Sequence, residues 1–155
     1  KPSGPRHSAR EYALRELYSQ TVLKNVSVEP LPPIANWWGK DDRLVVPREA
    51  FDFARSIIDG IQKEWKKIDA LIQNHAKNWR LDRMPIVDRN LLRLSTWELL
   101  HHPETPSSVI LNEALELAKC YGNDDSPRFV NGILDPLAKS IRDQHEKSTI
   151  PKESE

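Results

Sequence analysis

The sequence predicts an all-α fold, and three observations support this class. Apolar residues recur every three to four positions along most of the chain, which is typical of amphipathic helices. No segment alternates apolar and polar residues with a period of two over a useful length. Prolines and helix-capping residues separate the helical segments. A chain of 155 residues suits one such domain, with a core large enough to need no disulfide.

The first helix is predicted to run from about Ala9 to Leu23. Ser8 and Glu11 form a capping box, with Ser8 as N-cap and Glu11 at the third helical position. Behind them, four apolar or aromatic residues recur at helical spacing: Ala13, Leu14, Leu17 and Tyr18. The residues before the helix, 1–8, are expected to form a flexible basic arm.

Segment 25–46 is predicted to be a long loop that contains at most one short helix. Its three prolines are incompatible with a continuous helix. The run that contains Trp37 and Trp38 has the composition of a turn. These two tryptophans either pack over the helices or contact another copy or a partner, and the sequence leaves both alternatives open.

A long second helix is predicted from about Arg48 to His75. Pro47 suits the first helical position, and Gly60 is tolerated in the interior. An apolar stripe follows at the spacing of a helix face. It comprises Ala50, Phe53, Ala54, Ile57, Ile61, Trp65, Ile68 and Ile72.

Two more helices are predicted between Pro85 and Gly122. Asp88 is the expected N-cap of the first, which ends near His102 because two prolines follow. The second contains "NEALELAKCY" and is closed by Gly122, for which a positive φ is expected.

The last helix is predicted to start at about Pro127, with Ser126 as N-cap, and to end near Gln144. Pro136 lies inside this helix, where proline removes a hydrogen bond, so we expect a kink or a break there. Residues 145–155 are expected to form a tail.

Composition excludes several classes of protein. The chain has 23 basic and 23 acidic residues, so any nucleic-acid surface must arise from local segregation of charge. The single Cys120 excludes an intrachain disulfide and fits the reducing cytoplasm, and its apolar helix predicts a buried thiol. No apolar run approaches the roughly 20 residues of a membrane span.

No motif supports an enzyme, a cofactor or a metal site. The sequence has no glycine-rich phosphate loop and no nucleophile or zinc motif. The acid pairs at 41–42 and 124–125 flank turns, where aspartate is common for capping reasons. The histidines are scattered and are expected to be solvated at helix ends: His7, His75, His101, His102 and His145.

A binding function is better supported than catalysis. Basic residues without an acid begin the chain, and Arg128 stands beside the aromatic Phe129 in the first turn of the last helix. Tyr18 and Tyr121 add aromatic rings. Basic residues interleaved with aromatics suit single-stranded nucleic acid, although such an arm is often only a solvated tail and such aromatics often belong to a core.

Four segments occur in an order and at separations that resemble the NusB family of transcription antitermination factors. They are "AREYALRELYSQ", "PIVDRNLLRLSTWELL", "NEALELAK" and "DDSPRFVNGILD". The resemblance covers about Arg6 to Arg142 and is strongest from Val87 to Asp135.

The resemblance implies a single domain at 9–144, built from two packed helical bundles with about six to seven helices. It implies a cytoplasmic, non-enzymatic protein that binds boxA-type single-stranded RNA of ribosomal-RNA leaders with a NusE-like small-subunit ribosomal protein. The resulting complex acts on the transcription elongation complex. Whether the chain also forms a homodimer is left open.

The resemblance also implies which residues face RNA. Arg6, Arg10 and Arg128 would offer charge to phosphates, Phe129 would stack on a base, and Asp125 would limit affinity by repelling the backbone. The full set is Arg6, Arg10, Tyr18, Lys119, Tyr121, Asp125, Arg128 and Phe129.

Four nearby residues are expected to be structural. Gly132 would let two helices approach closely, Asn131 would bond a backbone end, and Arg89 and Asn90 would tie helices together. Two other functions remain as alternatives: a protein-only helical interaction module, favoured by the sparse charges of the arm, and an accessory domain of an rRNA-modifying system.

Overall fold

The computed structural model of the chain describes residues 4–24 and 48–149. Within these ranges the chain forms five α-helices and one short 3-10 helix, with no strand, which confirms the all-α class. The helices are α1 (Pro5–Lys24), α2 (Arg48–His75), α3 (Ile86–His101), α4 (Ser107–Tyr121) and α5 (Ser126–Thr149), and the 3-10 helix is Leu81–Arg83. Six to seven helices were expected. The predicted loop at 25–46, with Trp37 and Trp38, lies outside the described residues.

The helices pack as two bundles that share α3. One bundle contains α1, α2 and α3, and the other contains α3, α4 and α5. Because α3 is enclosed from both sides, four of its leucines are buried, and so are polar residues such as Asn90 and Glu98. Among the described helices, none has both the length and the apolar character to cross a membrane.

Helix α2 has the predicted limits, but one predicted core residue lies outside the core. Glu64 has non-helical backbone angles (φ −118°, ψ 17°), which mark a kink in the helix. Ile61 and Ile68 are buried on either side of this kink, whereas Trp65, the residue that follows it, is exposed.

Gly60 of α2 packs directly against Trp97 of α3. A Cβ atom there would lie 2.1 Å from Nε1 of Trp97, so only glycine leaves room for the indole. The prediction assigned such a packing function to Gly132, which is wrong, because a Cβ at Gly132 would meet nothing within 4 Å.

Two helices begin earlier than predicted. Helix α1 begins at Pro5, and the Ser8 amide donates to the Gly4 carbonyl (3.2 Å), so residues 5–8 belong to the helix rather than to the arm. Proline suits this position because its missing N–H has no acceptor in the first turn. Helix α3 begins at Ile86, and Asp88 lies inside its first turn rather than at the N-cap.

Helix α5 is longer and more regular than predicted. It runs without interruption through Pro136 and continues to Thr149, so the predicted break is absent. The proline leaves the carbonyl of Gly132 without its helical donor, but both residues are exposed and water can reach this carbonyl. The predicted tail therefore begins inside the helix.

Cys120 is exposed, which contradicts the predicted buried thiol. The buried stripe of α4 consists of Ile110, Ala114, Leu117 and Ala118. At 100° per residue, position 120 lies roughly 100° around the helix from the centre of that stripe.

Candidate nucleic-acid interface

Two hydrogen bonds between neighbouring residues hold the side chains of the turn between α4 and α5. The Asn123 amide donates to Oγ of Ser126 (3.0 Å), and the Asp125 amide donates to Oδ1 of Asn123 (2.8 Å). Gly122 has φ −91°, so the predicted positive φ is wrong. Glycine is needed for space instead, because a Cβ there would lie 2.3 Å from the Ser126 hydroxyl oxygen.

Arg128 and Asp125 project from this turn into solvent. Their side chains are 87% and 82% exposed, and Nη2 of Arg128 lies 3.2 Å from Oδ1 of Asp125. An exposed pair at this helical spacing contributes only about 0.3–0.5 kcal/mol. The guanidinium is therefore free to exchange this carboxylate for another anion.

Phe129 stands beside an aromatic residue that the sequence reasoning missed. Its ring meets Trp79 edge to face, with centroids 5.4 Å apart and planes at 85°. Trp79 is 55% exposed, and together with Phe129 and Arg128 it lines an open groove of about 410 Å³, the Trp79 groove. A tryptophan in the polar turn "KNWRLD" was the available signal, because no helical stripe accounts for it.

A second groove, of about 220 Å³, lies between Tyr18 and Tyr121 and is called here the Tyr121 groove. Nε of Arg15 donates to the Tyr121 hydroxyl (3.0 Å), and its guanidinium carbon lies 5.2 Å from the ring centroid. Burial raises the pKa of Tyr121, and the charge of Glu11 adds to this effect. Arg15, also missed from the sequence, thus fixes the tyrosine, while Tyr18 remains 41% exposed.

Asp88 lines both grooves from within the protein. Burial raises the pKa of this carboxyl, and a hydrogen bond with the Ser126 side chain opposes the rise. Oδ1 of Asp88 has no hydrogen-bond partner among the described residues. Asp88 therefore joins the α3 end of the site to the α4–α5 turn.

Arg10 is not on the surface, contrary to the expectation that it faces RNA. Its side chain is buried and forms two hydrogen bonds with Glu98, from Nε (2.7 Å) and from Nη2 (2.8 Å). Glu113 lies 3.7 Å from Nη1 of Arg10, and its Oε2 accepts a 2.5 Å hydrogen bond from Nδ1 of His7. These four residues, the Arg10 network, join α1, α3 and α4.

Two other predicted residues are exposed but lie apart from the grooves. The Arg6 guanidinium stacks 4.2 Å above the Phe53 ring, on the side of the molecule that carries the Arg10 network. Lys119 projects from α4, 3.8 Å from Glu116. The structure thus places Arg6, Arg10 and Lys119 away from the grooves. It brings the other five predicted residues together around them: Tyr18, Tyr121, Asp125, Arg128 and Phe129.

Arg89 and Asn90 confirm the structural functions expected of them. The Arg89 guanidinium donates to the carbonyls of Asp82 (3.2 Å) and Met84 (3.0 Å), which fixes the segment that carries Trp79 to α3. The Asn90 amide donates to the Thr21 hydroxyl (3.0 Å), which joins α3 to α1. The described residues contain no group of three or more histidine, cysteine or acidic side chains placed to hold a metal ion.

The profile of the NusB family matches residues 7–139. The chain belongs to the NusB family. The transcription antitermination protein NusB of Myxococcus xanthus is 41% identical over 138 residues, which cover 89% of this chain and 97% of that protein. The solved NusB of T. maritima has a TM-score of 0.79 at 35% identity, covering 95% of this chain and 99% of that one.

A third similarity concerns a complex. The chain matched in the solved structure of the antitermination factors NusB and NusE with double-stranded RNA has a TM-score of 0.73. It is 24% identical, and the match covers 88% of this chain and 97% of that one. At this identity the likeness to that NusB-family structure shows the fold alone.

Proposed function

We propose that the chain is an RNA-binding transcription antitermination factor of the cytoplasm. It binds boxA-type single-stranded RNA of ribosomal-RNA leaders together with a NusE-like small-subunit ribosomal protein, and the pair acts on the transcription elongation complex. Family membership supports this proposal, because the curated relatives carry the antitermination function in their names. The solved complex of the antitermination factors NusB and NusE with double-stranded RNA contains the same two kinds of partner, an RNA and NusE.

The observation that carries the proposal is a continuous surface of aromatic rings beside an available cation. The Trp79 and Tyr121 grooves are contiguous, because Pro85, Asp88 and Asn123 line both of them. We call this surface the aromatic face, and it comprises Tyr18, Trp79, Tyr121, Arg128 and Phe129. Stacking on such rings contributes about 1–3 kcal/mol per base.

Phe129, Trp79 and Arg128 of the aromatic face, and Asp125 beside it, have distinct functions in this proposal. Phe129 and Trp79 offer stacking surface, and their edge-to-face contact holds both rings in place before RNA arrives. Arg128 leaves Asp125 and pairs with a phosphate, a stronger partner for a guanidinium. Asp125 then repels the backbone and limits affinity.

The basic residues outside the aromatic face act differently. Arg6 offers charge to a flanking phosphate, because it is exposed, and Lys119 does the same from α4. Arg10 is a positioning residue, because its guanidinium holds α1, and hence Arg6 and Tyr18, against α3 and α4.

Fluorescence anisotropy with labelled boxA-type RNA and a scrambled RNA tests the proposal, with and without the ribosomal protein. Sequence-specific binding that tightens with the partner is expected. Arg128→Glu should weaken binding and reduce the slope of log affinity against log salt by roughly 0.7, the value for one lost phosphate contact on a single strand.

Lys139→Glu is the matched control for this substitution. Lys139 lies on the same helix, is exposed, and pairs with an acid one turn away (Asp135, 3.3 Å). The same reversal of charge should leave the salt slope unchanged there. Equal effects of the two variants would show that only the net charge matters and would remove Arg128 from the site.

A protein-only interaction module is the second candidate, and one observation favours it. Because Arg10 is buried, the N-terminal segment has fewer exposed cations than basic residues in its sequence. This candidate predicts binding to the ribosomal protein without discrimination between boxA-type and scrambled RNA.

A further inference from the structure

Trp65 is a large aromatic ring on the surface of α2, outside the aromatic face. It is 44% exposed, and Nζ of Lys66 lies 5.6 Å from its ring centroid. Lys63 and Lys67, two positions before and after it in the chain, are also exposed. The core does not require a tryptophan here, because the neighbouring isoleucines fill it.

Trp65 borders a groove of about 250 Å³ between α1, α2 and α3. On one rim the Gln62 amide donates to Oε1 of Gln20 (3.3 Å). The groove also contains the Arg93 guanidinium, held by Asp69 through two hydrogen bonds of 2.8 and 3.0 Å. Side-chain amides and a fixed guanidinium present both donors and acceptors to an occupant.

The local charge favours an anionic occupant. Asp69 is occupied by Arg93, and Glu64 is shared between His101 and Lys67. Lys66, which contacts the Trp65 ring, and Lys63, two positions before Trp65 in the chain, have no acid among these pairs. The face around Trp65 is therefore locally basic on a chain whose overall charge is zero.

We propose that this Trp65 groove is a second contact for single-stranded RNA, and this proposal rests on the function proposed above. A base stacks on Trp65 with its edge toward the amides of Gln20 and Gln62, and the flanking phosphates meet Lys63 and Lys66. A ring, exposed lysines and amides form the combination that binds single strands with little sequence preference.

The position of the groove relative to the aromatic face supports the same occupant. Leu17 lines the Trp65 groove, and the next residue, Tyr18, lines the Tyr121 groove. On α3, Asn90 lines the first groove and Asp88 lines the second. The two grooves therefore lie at the same level along α1 and α3, and an RNA strand that continues past Tyr18 around α1 reaches the Trp65 groove.

The test compares a short boxA-type RNA with the same RNA extended by about six uridines at its 5′ or its 3′ end. One extension should raise the affinity of the unaltered protein by about 5- to 100-fold, the equivalent of one stacked base. Trp65→Ala should remove this gain without changing the affinity for the short RNA. Trp65→Phe should retain most of the gain.

Phe51→Ala is the matched control, because Phe51 is an exposed aromatic residue on the same helix that does not line the groove. It should leave the gain intact. Lys63→Gln together with Lys66→Gln should reduce the salt slope for the extended RNA alone, by roughly 0.7 per phosphate contact.

Three results would overturn the inference, and they separate it from the function on which it rests. Binding of the short RNA with no gain from either extension refutes the Trp65 contact and leaves the proposed function standing. Absence of any RNA binding by the unaltered protein refutes both. A Trp65→Ala variant that keeps the gain but loses affinity for the ribosomal protein assigns the groove to a protein partner instead.

Discussion

The Arg10 network and the aromatic face each contain an arginine expected from the sequence to contact RNA, but the two arginines differ in their exposure to solvent. Arg10 is 3% exposed and forms two short hydrogen bonds with Glu98, which is wholly buried. Arg128 is 87% exposed and has one loose contact with Asp125. One guanidinium is part of the interior, and the other lies in water.

The difference arises from the distance along the chain between each arginine and its carboxylate. Asp125 lies three residues before Arg128, so any helix would bring the two together on the surface. Glu98 is 88 residues from Arg10 and meets it only because α1 packs on α3. The number of arginines in a segment is therefore a poor measure of the positive charge that the segment presents to RNA.

The largest expected effect comes from breaking the buried pair. Arg10→Ala leaves the Glu98 carboxylate buried without its partner, which should lower the free energy of unfolding by about 3–5 kcal/mol. Arg128→Ala, the matched control, should change it by less than about 0.5 kcal/mol. Urea denaturation measures both.

A double variant sharpens this result. Arg10→Met combined with Glu98→Leu removes both charges and should recover most of the stability lost in Arg10→Ala. If Arg10→Ala lowered the free energy of unfolding as little as Arg128→Ala, the Arg10 network would not stabilise the fold.

A smaller change in stability is expected from substitutions at two glycines, of which one packs against the core and the other is exposed. Gly60→Ala places a Cβ 2.1 Å from the buried Trp97 indole, and overpacking of this kind costs about 1–3 kcal/mol. Gly132→Ala meets nothing within 4 Å and should stabilise α5 by about 0.5–1 kcal/mol. Thermal unfolding followed by circular dichroism measures both, and a shift of the same sign would contradict the packing at Gly60.

The sequence predicts the helices well because their signals are local. The limits of α2 follow from its apolar stripe and from Pro47, and the reading of α3 as a core helix follows from its leucines. The misplaced starts of α1 and α3 have a common cause. Pro5 and Pro85 initiate the helices, and the polar residues Ser8 and Asp88 that resembled N-caps lie one turn or half a turn inside.

Only part of the candidate site could be predicted from the sequence, because only part of it is formed by residues that are neighbours in the chain. The α4–α5 turn is contiguous in sequence, so the arrangement of Asp125, Arg128 and Phe129 could be predicted. Trp79 and Arg15 join it from other helices and loops, and no local pattern links them to Phe129 or Tyr121. The kink at Glu64 and the exposure of Trp65 also have no signal in the sequence.

The smallest expected effect separates the buried acid of the site from an exposed one. Burial raises the pKa of Asp88 in the folded protein, so the ionised carboxylate destabilises the fold at every pH above that pKa. Asp88→Asn should therefore increase the free energy of unfolding at pH 7, by about 1 kcal/mol, the usual size of the cost of an unsatisfied buried acceptor.

As the pH falls through the folded pKa, the folded protein binds a proton on Asp88 before the unfolded chain does, and the advantage of asparagine should shrink. Asp125→Asn, in water beside Arg128, should change the free energy of unfolding at pH 7 by less than about 0.5 kcal/mol. Urea titrations at pH 4 to 7 would show the two profiles, and a flat profile for Asp88→Asn would mean that this carboxyl reaches solvent through the grooves that it lines.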